Sequence, residues 1–287
     1  MTEANIPLQV PRSGPSGRPP GRRPRGIPAA SAALALAALA VGFLTHAGHG
    51  NALAQGLDRS RVYRVAVDES YPPFSFMDKS GRLTGFDAEI SRALCAEMRV
   101  QCDVRGYPFA DILPGVASGA IDVGGAGFAM TDERVGMVDF TDKYFRSTSI
   151  FIQYGSALTG SSPEAMAGKR IAVQKDTIQE TYLRENYPRI ASLSTFEDFE
   201  GVVGALRSGI CDAAMVDGLP GFTFVKSDGG EGFDIAGDPL PLETVARMIV
   251  SKDLPALREE MNAAIQRIRA NGVYDEINRK YFSFNVY

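Results

Sequence analysis

One phrase occurs twice in this chain, and it restricts the fold more than any other feature. Ile112 to Ala117 reads as a short apolar helix, Ser118-Gly119 as its stop, and Ile121-Asp122-Val123 as a strand. The pattern returns as Val202 to Arg207, Ser208-Gly209, and Ile210-Cys211-Asp212-Ala213-Ala214. In both copies the glycine suits a left-handed residue closing the helix. A second echo pairs Arg64-Val65-Ala66-Val67-Asp68 with Arg170-Ile171-Ala172-Val173-Gln174. Two halves that each alternate short apolar strands with amphipathic helices imply two similar α/β lobes rather than a sandwich or a bundle.

Arg64 to Val67 is expected as a strand. Phe86, Ile90, Ala93, Leu94 and Met98 mark a helix from Phe86 to Met98, with the next strand starting at Cys102-Asp103-Val104. Ser147 to Tyr154 and Val245 to Ser251 are strand-like runs. The first leads into the Gly/Ser/Pro-rich stretch Gly155 to Pro163, and beyond the second Pro255 to Ala270 has helical periodicity. If both runs cross between the lobes, the C-terminal helices return to the first lobe. The expected division is a leader over 1–54, one lobe from 55–147 plus 249–287, and a second over 148–248. A two-strand hinge of that kind suits rigid-body closure.

The leader is expected from five arginines in a Pro/Gly-rich stretch (Arg12, Arg18, Arg22, Arg23, Arg25), the apolar run Ile27 to Leu44, and the small residues Ala52-Leu53-Ala54. Cleavage near Ala54 would export the protein to the periplasm; an uncleaved membrane anchor is the alternative. Arg22-Arg23 lacks the rest of a twin-arginine motif. The five arginines against Glu3 give the leader +4 of a chain total of −4, so the remainder carries about −8. Nucleic acid is a poor partner for such a surface.

Both histidines, His46 and His49, fall in the leader. Without them the exported part has no Ser-His-Asp or Cys-His nucleophile, no His-ligated zinc and no imidazole acid–base group; no metal and no cofactor is expected. Of the three cysteines, Cys95 and Cys102 are a credible disulfide pair, since one would end a helix and the other open the next strand. Cys211 begins an apolar run and reads as a buried free thiol.

Six separated motifs then point to a family. In order they are Tyr71-Pro72-Pro73-Phe74, Gly85-Phe86-Asp87-Ala88-Glu89-Ile90, Thr131-Asp132-Glu133-Arg134, Asp139-Phe140-Thr141-Asp142-Lys143-Tyr144, Gly168-Lys169-Arg170-Ile171-Ala172-Val173, and Asn271-Gly272-Val273-Tyr274. From about Val62 to Phe282 the chain resembles the extracellular solute-binding proteins, family 3, of polar amino-acid ABC importers. The Cys95–Cys102 spacing also resembles a disulfide found in some members. The resemblance implies a two-lobed periplasmic-binding-protein (Venus-flytrap) fold of the α/β class with two crossover hinge strands. It also implies a non-enzymatic monomer that passes a small molecule, an amino acid or related zwitterion, to a membrane ABC permease.

An α-amino acid needs a fixed cation with amide donors, an anion and a shaped wall. On the family pattern Arg134, just after the N-cap Thr131, would fork onto the ligand carboxylate. Taken alone it reads as a surface arginine paired with Asp132 or Asp139. Asp217, at the carboxyl end of the strand Ala213 to Val216, would accept from the ligand ammonium; its ordinary reading is a turn residue before Gly218. Tyr71 and Phe109 would place rings on either side of the ligand side chain. Thr177 and the amide of Ile178 would supply contacts from the second lobe, at the start of a helix. Asp68 matches a position that faces the ligand side chain in some relatives, which would suit a cationic tip; otherwise it is a solvated loop residue.

The pattern departs in two places. Ala129 stands where many members have Ser or Thr to hold the ammonium, which leaves only backbone groups there, from Gly127 to Ala129. Asp176 stands where glycine is common. Two rival readings follow: a cyclohexadienyl-type dehydratase on the same fold, with Asp68, Asp176 or Asp217 as the acid, and a periplasmic accessory or sensor protein that has lost transport.

Overall fold

The computed structural model describes residues 56–155 and 158–287; the leader expected over 1–54 lies outside them. Along the chain the elements are β1 (Val62–Asp68), β2 (Ser70–Tyr71), β3 (Ser75–Met77), β4 (Leu83–Thr84), α1 (Phe86–Met98), β5 (Gln101–Tyr107), α2 (Phe109–Ala117), β6 (Val123–Phe128), α3 (Asp132–Met137) and β7 (Asp139–Tyr154). They continue as β8 (Arg170–Gln174), α4 (Ile178–Asn186), β9 (Ser192–Phe196), α5 (Phe199–Arg207), β10 (Ala213–Asp217), α6 (Gly218–Val225), β11 (Phe233–Ile235), β12 (Leu240–Val250), α7 (Pro255–Ala270) and α8 (Val273–Tyr281). Among the described residues no helix is long and apolar enough to cross a membrane.

Strand order is β5-β1-β6-β12-β7-β10-β8-β9, with β11 also on β7. β5, β1 and β6 run parallel in one half, and β10, β8 and β9 in the other. The long strands β7 and β12 are antiparallel to each other and carry the sheet from one half to the other. They start earlier than the sequence implies, at Asp139 and Leu240, because Asp139 to Arg146 pairs with Val245 to Val250, and Leu240 and Thr244 pair with Ser149 and Ser147. Cross-strand pairing, not local pattern, extends them.

Each half is covered on both faces, as parallel sheets require. In the second, Ile150 and Ile152 pack with Phe199, Val202 and Val216 on one face, while Phe151 packs with Val173, Leu183 and Met215 on the other. In the first, the α1 stripe Phe86, Ile90, Leu94 and Met98 meets Leu257, Met261, Ile265 and Ile268 of α7. Burying a side chain of this size contributes about 1.5–3 kcal/mol. The C-terminal helices therefore belong to the first half. Tyr281 confirms it locally, accepting the Gly85 N–H on its hydroxyl at 3.1 Å.

The repeated phrase proves to be a repeated structure. Asp122 Oδ2 accepts from the Arg64 amide at 2.8 Å, and Asp212 Oδ2 from the Arg170 amide at 2.8 Å. Both aspartates also chelate the side chain of the same arginine. Their own amides return to the Arg64 and Arg170 carbonyls. This exchange uses the residues expected to open the strands, so β6 and β10 begin at Val123 and Ala213 instead of Ile121 and Ile210. Gly119 and Gly209, at φ 73° and 71°, close the preceding helices in both copies. Cys95 and Cys102 are joined as a disulfide with Cα atoms 6.2 Å apart, and Cys211 is free and buried.

Candidate functional site

The carboxyl ends of β1, β6, β8 and β10 converge on one cavity. Such ends, followed by helix N-termini, are where open α/β sheets hold ligands. All nine residues singled out from the sequence line it: Asp68, Tyr71, Phe109, Gly127, Ala129, Arg134, Thr177, Ile178 and Asp217. Gln174, Gln179, Phe145 and Thr244 line it as well. Gln174 was findable as the echo of Asp68; Thr244, on a hinge strand, carried no sequence signal.

Arg134 is not the surface residue of its ordinary reading. Thr131 Oγ1 accepts the Arg134 amide and caps α3, which turns the arginine inward, and only 9% of it is exposed. Among the described residues no carboxylate pairs with it directly; Asp139 pairs instead with Arg258. Its guanidinium donates to the Ala129 carbonyl at 2.9 Å and, across the cleft, to the Asp176 carbonyl at 2.7 Å. It also lies over the Phe128 ring, 5.4 Å from the centroid, and Phe128 stacks on Phe109 at 5.0 Å. Burial lowers its pKa from the ordinary arginine value. The Ala129 carbonyl, one of the backbone groups left by the missing hydroxyl, is thus engaged by Arg134.

Asp68 is not a solvated loop residue, being 3% exposed. It ends β1 and accepts the Ser70 amide at 3.0 Å; burial raises its carboxyl to about 6, opposed by that bond. Asp217 combines both readings given to it. Its Oδ1 accepts the Leu219 amide at 3.2 Å as the cap of α6, and it accepts the Ser147 hydroxyl on the same oxygen while facing the cavity. Burial raises it to about 6 against these bonds. Thr244 Oγ1, also in the cavity wall, is buried and near enough to Asp217 to help hold its carboxyl down, but among the described residues it has no partner of ordinary hydrogen-bond geometry.

The Thr177 hydroxyl is spent locally, donating to the Gln174 carbonyl at 2.7 Å and accepting the Glu180 amide at 3.3 Å. What it contributes to the cavity is the start of α4 and its free amides. Tyr71 stacks on Phe74 at 5.5 Å and meets Phe199 of the other lobe edge-on at 6.3 Å. Behind the wall lies a relay that the sequence motifs contain without revealing. The Gly127 amide donates to the Tyr144 hydroxyl, which donates to Asp87, both at 2.9 Å. Asp87 is fully buried, its Oδ2 has no partner among the described residues, and burial raises it well above the carboxylate range. Gly127 sits at φ 62°, and a Cβ there would lie 3.1 Å from the Phe145 ring.

This arrangement sets one guanidinium, one buried and one half-buried carboxyl, aromatic walls and helix-start amides around a cleft that can take one small polar molecule. Residues 63–284 match the family model for bacterial extracellular solute-binding proteins, family 3. The chain is 33% identical over 233 residues to an L-arginine-binding protein of Pseudomonas aeruginosa, covering 78% of this chain and 89% of that one. It is 28% identical to the histidine-binding periplasmic protein of Escherichia coli strain K12, over 78% and 88%. A solved ancestral arginine-binding protein bound to arginine superposes with a TM-score of 0.72 at 29% identity, covering 77% of this chain and 98% of that one. With its six motifs, two-lobed α/β fold and cleft at the strand ends, the chain belongs to the bacterial extracellular solute-binding proteins, family 3.

Proposed function

We propose that this chain captures an amino acid with a cationic side chain by closing its lobes around it, and delivers it to a membrane ABC importer. The observation that carries this is Asp68, a buried carboxyl in the cavity wall with no cation in salt-bridge reach among the described residues. A buried charge is tolerated when a partner arrives to pair with it. The arginine- and histidine-binding relatives agree with a cationic tip at that point.

In this reading Arg134 holds the ligand carboxylate with the first amides of α4, at Thr177 and Ile178. Asp217 accepts the ammonium through Oδ2, since its Ser147 and Leu219 bonds fall on Oδ1. The Gly127 to Ala129 backbone completes that side, and Tyr71 and Phe109 flank the side chain. The lobes are 55–147 plus 249–287 and 148–248, hinged on β7 and β12. The protein works as a periplasmic monomer after cleavage of its leader near Ala54, which N-terminal sequencing of exported protein would check.

Titration calorimetry against arginine, lysine, ornithine, histidine and the neutral isostere citrulline tests the reading. Binding of a cationic member, with Asp68→Asn erasing most of its preference over citrulline, supports it. Equal affinity for arginine and citrulline refutes the cationic tip. The raised acids Asp68 and Asp217 are also what a dehydratase would use as proton donors; prephenate turnover above a buffer blank would favour that reading instead.

A further inference from the structure

Asp176 is one of two non-glycine residues with left-handed backbone among the described residues, at φ 61°. Such a conformation costs about 1–2 kcal/mol for a side-chain-bearing residue and is least costly for Gly, Asn and Asp. It is held from both sides. The Asp176 amide donates to Glu180 Oε2 at 2.8 Å, and its carbonyl accepts from Arg134 at 2.7 Å.

The second bond crosses the cleft, so Asp176 meets Arg134 only when the lobes are closed. Its side chain is exposed. A second, outer space shares Phe109, Phe128, Arg134, Thr177 and Ile178 with the inner one, and Asp176 borders only this outer space. Arg134 thus borders both spaces, with the proposed ligand carboxylate in the inner one and Asp176 on the outer one. Glu133 is a second negative charge beside the guanidinium, but it shares helix α3 with Arg134 and accompanies it in every state of the cleft.

We propose that Asp176 is a specificity-determining residue whose carboxylate competes with that of the ligand for Arg134, relaxing the demand for an α-carboxylate so that amides of cationic amino acids are also admitted. This rests on the reading of Arg134 as the carboxylate anchor. A glycine at the same place would leave the ligand to share the guanidinium's positive charge with Glu133 alone.

The test uses Asp176→Asn and Asp176→Gly, both of which tolerate the left-handed backbone and so keep the carbonyl on Arg134. Calorimetry at neutral pH compares arginine with argininamide. Both variants should raise the preference for arginine about three- to fivefold over wild type, the scale of an exposed charge, and the gain should shrink with added salt. An unchanged preference, or one that changes only in Asp176→Gly and so reports the backbone, overturns the proposal. If wild type binds neither compound, the reading of Arg134 falls and this inference with it; if wild type binds arginine and the variants keep its ratio, this inference alone falls.

Discussion

Lowering the pH from 7 to 5 should weaken arginine binding about 100-fold while the unliganded protein gains stability from the same two groups. Asp68 and Asp217 both titrate near 6 because they are buried. If a cationic ligand needs both ionised, each is ready in about nine-tenths of molecules at pH 7 and about one-tenth at pH 5. The doubly ionised fraction then falls from about 0.8 to about 0.01, and the apparent Kd rises inversely with it. Near pH 6, where each acid is half protonated, binding should release about one proton, measurable by calorimetry in buffers of different ionisation heat.

The stability trend has the opposite sign. Both carboxyls sit above their unfolded value of 3.8, so between about 6 and 3.8 the folded chain binds more protons than the unfolded one. Stability from these groups therefore rises as pH falls through that window, by up to about 3 kcal/mol each. Asp122 behaves differently: its burial is outweighed by the Arg64 bonds and the Arg61 charge, which hold its pKa down. Its contribution persists until the pH falls below its unfolded value. Asp68→Asn should cut the pH effect on binding to about tenfold. A Kd constant within about threefold from pH 7 to 5 would refute the contact of these carboxylates with the ligand.

Asp122→Ala should cost about 2–3 kcal/mol in urea unfolding, because a buried carboxylate there serves the Arg64 amide and two guanidinium groups. Its counterpart Asp212→Ala, whose side chain is 31% exposed, should cost less than about 1 kcal/mol. Gly127→Ala should lower stability by about 1–2 kcal/mol through its left-handed backbone and weaken the ligand as well, read by melting temperature with and without arginine. Replacing Cys95 and Cys102 by serine should cost about 2–3 kcal/mol of loop-closure entropy. Under denaturing conditions without reductant, wild type should show one titratable thiol, and three after reduction.

Much of the fold was legible because it is written twice. The Ser-Gly stops and the paired Arg…Asp spacing specify the same strand-to-strand exchange in each half, and local signals suffice for that. The candidate site was legible for a different reason. The family pattern singled out Asp68, Asp217 and Arg134, whose own surroundings in sequence read as a loop residue, a turn residue and a surface arginine, and the structure brings all three to the cavity. The lengths of β7 and β12 were not legible, since their extra residues are strand only through pairing with each other. Nor was the spent hydroxyl of Thr177, which depends on where the Gln174 carbonyl ends up.

The least legible feature is the one behind the site. Asp87 sits inside a motif that identifies the family, yet nothing in its neighbourhood of sequence says that it ends a relay from the Gly127 amide through Tyr144. Its partners come from β6 and β7, 40 and 57 residues away by number, and only the assembled lobe joins them. The consequence is physical. Because the Gly127 amide is turned inward to Tyr144, the Ala126 carbonyl on the same trans peptide plane is directed away from Tyr144, at a residue that lines the cavity. An acceptor fixed there would offset part of what the cavity loses through Ala129, whose carbonyl is taken by Arg134 and whose side chain offers no hydroxyl. On the proposed reading, the ammonium side of the site then depends on backbone orientation set from the core, and Tyr144→Phe, which frees that peptide plane to rotate, should weaken an amino acid more than it weakens the fold.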